Sequence, residues 1–98
     1  MIILKSKELE LLKKILKIHI PNYPVWLFGS RCTPFIKPYS DIDLAIITHT
    51  PLPLNQLAQL EYELSDSDLP YKVDLVDWST LNDRFKQLIR DEHEVIQL

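Results

Sequence analysis

A chain of 98 residues, 46% of them hydrophobic and 26% charged, has the make-up of one compact globular domain and too little length for two. With 14 acidic residues against 11 basic ones its formal net charge is −3, which excludes holding nucleic acid by bulk electrostatics; any phosphate must be bound locally. The single cysteine, Cys32, excludes an internal disulfide, and no stretch has a signal-peptide core or the roughly 20 apolar residues of a membrane span, so a cytoplasmic location is expected.

From Ser6 onward Leu9, Leu11, Leu12, Ile15, Leu16 and Ile18 recur at helical spacing, with lysines and glutamates filling the other face. This predicts an amphipathic helix that stops near Pro21. VWLF (25–28) is a continuously apolar run typical of a buried strand, ended by Gly29, the only glycine of the chain. Residues 30–40 read as a loop or short helix punctuated by Pro34 and Pro38, and DIDLAIIT (41–48) as a second strand rich in β-branched residues.

After the breaker HTPLP, a helix is expected from Leu54 to Ser65, with Leu54, Leu57, Leu60, Glu61 and Leu64 on one stripe. SDSDLP is a loop, and YKVDLVDW (71–78) is a third strand. Ser79 or Thr80 is the expected cap of a last helix, LNDRFKQLIRDE, whose Leu81, Phe85, Leu88 and Ile89 face the core. The tail HEVIQL supplies a short edge strand. The alternation of elements predicts an α/β fold: one domain over residues 1–98, a small mixed β-sheet with helices packed on it.

Side chains alternate along a strand, so Asp41 and Asp43 point the same way with Cα atoms roughly 6.6 Å apart. Two such carboxylates repel each other unless a cation sits between them. Asp74 is a third acid, set in an apolar alternation in which Val73 and Leu75 point to the opposite face. If the second and third strands are neighbours, the three acids converge, and the natural occupant is one or two hard divalent ions such as Mg²⁺. Taken singly, each acid reads better as a strand-end or solvated residue; the combination is what points to a metal.

Gly29 and Ser30 follow a buried strand, where backbone N–H groups stand unpaired and the missing Cβ lets a phosphate approach. Ser30 adds a hydroxyl and Arg31 a cation. The lysine-bearing G-x-x-x-x-G-K-[ST] loop is absent, which excludes a P-loop.

The ordered set of FGSR at 28–31, SDIDL at 40–44 and KVDLVDW in a later strand resembles the minimal nucleotidyltransferases of the DNA polymerase β superfamily. The resemblance runs through nearly the whole chain and implies a polymerase β palm-like fold. It also implies that Gly29 and Ser30 hold the triphosphate of ATP, with Arg31 close by. Asp41 and Asp43 would ligate both Mg²⁺ ions, and Asp74 would bind the second ion and help deprotonate the attacking hydroxyl. Asp77 competes for that last role from the opposite face of the strand. Where members commonly carry a further glycine this chain has Thr33 and Pro34, and a proline stiffens the loop and removes a donor.

Proteins resembling this one typically act as antitoxins to a helical HEPN ribonuclease toxin, transferring AMP to a toxin tyrosine. The resemblance therefore implies a hetero-oligomer with such a partner, and Tyr39, Trp78 and Phe35 are the candidate anchors if exposed. Two other readings stay open: a non-catalytic nucleotide-binding subunit that neutralises its partner by contact, which Pro34 favours, and a small-molecule nucleotidyltransferase, which the lack of length for a second domain disfavours. His49 reads as a loop residue, His19 and His93 suggest a ligand contact still less, and Trp26 and Trp78 read as core or interface aromatics.

Overall fold

The computed structural model describes residues 4–29 and 41–98. In chain order these form α1 (Ser6–His19), β1 (Val25–Phe28), β2 (Ile42–Ile46), α2 (Leu54–Asp66), β3 (Val73–Asp77), a short 3₁₀ turn (Trp78–Thr80), α3 (Asp83–Asp91) and β4 (Glu94–Gln97). The four strands make one sheet in the order β3-β2-β1-β4. β1 runs antiparallel to both β2 and β4, whereas β2 and β3 are parallel, so the sheet is mixed as expected. A parallel pair needs a crossover connection, and α2 supplies it.

Period-two alternation sorts the strand residues onto two faces. Val25 and Leu27 of β1, Ile42, Leu44 and Ile46 of β2 and Ile96 of β4 join Leu12, Ile15 and Leu16 of α1 and Leu60 and Leu64 of α2 in the main core. Each side chain of this kind taken fully out of water contributes about 1.5–3 kcal/mol before entropy is counted. The other face carries a smaller cluster in which Ala45, Trp78 and Ile89 of α3 are buried, with Trp26, Phe28 and Val76 packed against them. Trp26 meets Trp78 edge-on at 5.3 Å and stacks on His93 at 4.1 Å. Two helices thus cover β1 and β2 on one face and leave β3 partly open, and α3 covers only part of the other face.

The expected helical stripes are narrower in the fold. Ile18, Leu54 and Leu88 are 67%, 83% and 63% exposed, because each lies at the rim of a stripe whose centre alone reaches the sheet. The last helix begins later than predicted. Asn82 caps it by accepting a hydrogen bond from the Phe85 N–H at 2.8 Å. Ser79 and Thr80 are engaged elsewhere, donating to the carboxylate and the carbonyl of Asp77. Trp78, a candidate anchor for a partner, is buried and belongs to the smaller core, under the cations of Lys86 and Arg90. Among the described residues no helix is long and apolar enough to cross a membrane.

Candidate active site

The parallel register of β2 and β3 sets Asp43 directly beside Asp74. Paired residues of adjacent strands share a face, so both carboxylates leave the sheet on the side of Ala45 and Val76, the side α3 leaves partly open. Asp41, two residues before Asp43, lies just ahead of the strand and is exposed. The convergence expected if the strands were neighbours is therefore present for Asp43 and Asp74.

The electrostatic consequence is visible at Asp43. Partial burial first, then the neighbouring charges of Asp74 and Asp41, push its carboxyl above the ordinary value of 3.8. A hard cation among these oxygens would offset the repulsion, and one or two carboxylates completed by water and phosphate oxygens are a donor set that suits Mg²⁺. Among the described residues no three His, Cys, Asp or Glu side chains are gathered as a ready-made ion cage. Lys72 supplies one positive charge from the protein itself, its Nζ 3.5 Å from Asp74 Oδ1. Lys72 and Asp74 are two residues apart, so the pairing is local in the sequence.

Gly29 stands at the end of β1, where Phe28 pairs with Asp43. Its φ is +77°, a conformation side chains with a Cβ rarely adopt, and a Cβ built there would collide with the Asp43 carboxylate, whose Cγ would be only 3.2 Å away. The glycine is thus fixed by two requirements, a left-handed backbone and contact with the acid. Ser30 and Arg31, with Thr33, Pro34, Phe35 and Tyr39, lie outside the described residues.

Asp77, the competing acid, has a different employment. Thr48 Oγ1 and Ser79 Oγ both donate to its Oδ1, the latter at 2.7 Å. The Leu52 and Ser79 N–H groups donate to the carboxylate at 2.7 Å and 3.0 Å. Burial alone would raise this carboxyl, but these hydrogen bonds outweigh it and hold it below 3.8. Asp77 therefore ties the end of β3 to the segment leaving β2, and its oxygens are already taken. A hollow of about 750 Å³ between α2 and β3, lined among others by Tyr62, Tyr71, Lys72 and Asp74, also borders this strand.

A small mixed sheet with two acids in register on its half-covered face, a third just ahead of them and a left-handed glycine against the central one has the architecture of a nucleotide-transferring enzyme. The chain belongs to the polymerase β nucleotidyltransferase family, which it matches over residues 5–97. It is 47% identical over 94 residues to a probable protein adenylyltransferase, MntA, of Haemophilus influenzae, covering 96% of this chain and 82% of that protein. Among solved structures it is similar to a toxin–antitoxin complex with AMP-PNP, with a TM-score of 0.75 and 27% identity over 90% of this chain and 71% of the matched one. It is also similar to a complex of tri-AMPylated Shewanella oneidensis HEPN toxin with MNT antitoxin, with a TM-score of 0.70 and 26% identity over 95% of this chain and 71% of the matched one.

Proposed function

We propose that the chain, acting as a single nucleotidyltransferase domain over residues 1–98, transfers AMP from ATP to a tyrosine hydroxyl of a helical HEPN toxin and so serves as its antitoxin in the cytoplasm. The observation that carries this reading is the in-register pair Asp43 and Asp74 beside Gly29. Its support from relatives is that one is named a probable protein adenylyltransferase and that similar structures hold an AMPylated toxin or an ATP analogue.

Asp41, Asp43 and Asp74 are the residues that would hold Mg²⁺, one ion or two. Bound there, the metal would neutralise charge on the phosphates and lower the cost of the acids' mutual repulsion. Gly29, with Ser30 and Arg31 following it in sequence, would hold the triphosphate against the end of β1. Asp74 would take the proton of the acceptor hydroxyl, whose oxygen forms a new bond to the α-phosphorus as the bond to the bridging oxygen of pyrophosphate breaks. Lys72, whose Nζ lies 3.5 Å from Asp74 Oδ1, sets a positive charge beside that acid.

The test is to incubate the chain with α-labelled ATP, Mg²⁺ and its toxin partner, comparing the native protein with Asp43→Asn. Label on a partner tyrosine that disappears in the variant is the expected result. Neutralisation of the partner without label, unchanged by the substitution, would replace this reading by one of inhibition through contact. Label on an added small molecule alone would point to a different acceptor class.

A further inference from the structure

Phe28 and Asp43 occupy paired positions, so the ring and the carboxylate rise from the same face of the sheet. Phe85 of α3 meets Phe28 edge-on, with ring centroids 5.9 Å apart and planes at 86°. Between strand and helix lies a hollow of about 260 Å³ lined by Phe28, Gly29, Phe85, Leu88, Ile89 and Glu92. Among the described residues its walls are aromatic and aliphatic, with Glu92 the one ionisable group. Phe85 and Leu88 remain 38% and 63% exposed, apolar area that α3 does not bury within the fold. Gly29 belongs both to this hollow and to the surroundings of Asp43, so whatever sits in the hollow is continuous with whatever meets the acids.

We propose that this hollow seats the purine base of the nucleotide, with Phe85 and Leu88 covering the ring and the Glu92 carboxylate accepting a hydrogen bond from its exocyclic amino group. The inference rests on the nucleotidyltransferase reading above and adds the nucleotide's specificity to it. A mostly apolar slot edged by a few polar groups is the usual form of a small-molecule site, and among the described lining Glu92 is such a group. The alternative occupant, the phenol of an acceptor tyrosine, fits Glu92 poorly. An ionised carboxylate only accepts hydrogen bonds, and the phenol's one donor is the hydroxyl that must lie at the α-phosphorus. An aminopurine carries its donor on the ring edge, away from its phosphates. A protein docking face is the other alternative, and a hollow of this size is matched to a ring system rather than to the roughly 800 Å² each partner buries in a standard interface.

The experiment measures by calorimetry, with Mg²⁺, the binding of ATP, inosine triphosphate and inorganic tripolyphosphate to the full chain, alone and in complex with its partner. The proteins are the native chain, Phe85→Ala, Leu88→Ala and Glu92→Ala, each checked by thermal unfolding. Loss of the stacking surface in Phe85→Ala should weaken ATP at least ~10-fold and leave tripolyphosphate unchanged. Glu92→Ala should bring ATP down to the level of inosine triphosphate, which lacks the amino group, without altering the latter. ATP affinity unchanged in both Phe85→Ala and Leu88→Ala overturns the proposal, and so does loss of partner association at unchanged ATP affinity. A native chain that binds ATP with these dependences but labels no acceptor sinks the transfer reading and leaves the base seat standing. Failure of the native complex to bind ATP overturns both.

Discussion

Gly29 lies against the carboxylate of Asp43 with no space for a side chain between them. The end of β1 and the central acid of β2 are therefore one structural unit, and the first expectation concerns it. Gly29→Ala must accommodate both a positive φ, which costs a residue with a Cβ about 1–2 kcal/mol, and a displaced Asp43. Thermal unfolding should show a melting point lowered by several degrees, and AMP transfer should fall by more than the loss of folded protein explains.

Asp43 itself should separate stability from chemistry. Its carboxyl is pushed up by burial and by Asp74 and Asp41, so at neutral pH the ionised group costs the metal-free fold something that an amide would not. The cost is absent below the unfolded value of 3.8 and complete above the raised folded value. Asp43→Asn should therefore raise the melting point by a few degrees at pH 7 in the presence of a chelator. The same substitution should lower transfer by at least ~100-fold, measured with labelled ATP, because a hard charged donor is gone.

Asp77 should behave in the opposite sense. Replacing it by Ala leaves the hydroxyls of Thr48 and Ser79 and the N–H groups of Leu52 and Ser79 without their acceptor, a loss of about 1–3 kcal/mol in denaturant unfolding. Its folded carboxyl is depressed, so this stabilisation is fully present above about pH 3.8 and disappears as pH falls through the lower folded value. The stability difference between the native chain and Asp77→Asn should accordingly shrink as pH is taken from 5 toward 3.

Asn82 gives a control on α3. Asn82→Ala removes the hydrogen bond to the Phe85 N–H and should cost about 1 kcal/mol. Transfer corrected for folded fraction should be retained, as the side chain meets neither the acids nor Gly29.

The two-residue period of the strands made the faces of Asp43 and Asp74 readable in the sequence, since alternation is a local property of the backbone. What alternation does not carry is strand order. That Phe28 stands opposite Asp43, and that Phe85 reaches across to it, follows from pairings between segments far apart in the chain. Helical periodicity had a similar limit. It grouped Ile18, Leu54 and Leu88 with their stripes, but the width of a stripe that is buried depends on the neighbouring element's shape. The cap of α3 was misplaced for a competitive reason: Ser79 and Thr80 are good caps in isolation, and Asp77 had already engaged them. The roles expected of Ser30 and Arg31 rest on their place in the sequence alone.

The last strand has a practical meaning for anyone handling this protein. β4 pairs with β1, the strand that ends in Gly29, and the Gln97 side chain donates to the carbonyls of Ile20 and Tyr23 at 2.8 Å and 3.0 Å, bracing the turn that leads into β1. The final residues of the sequence therefore act as a splint for a site some seventy positions earlier. Trimming them would leave the acids untouched in the gene and unsupported in the molecule, so a loss of activity after such a deletion would report on scaffolding rather than on chemistry.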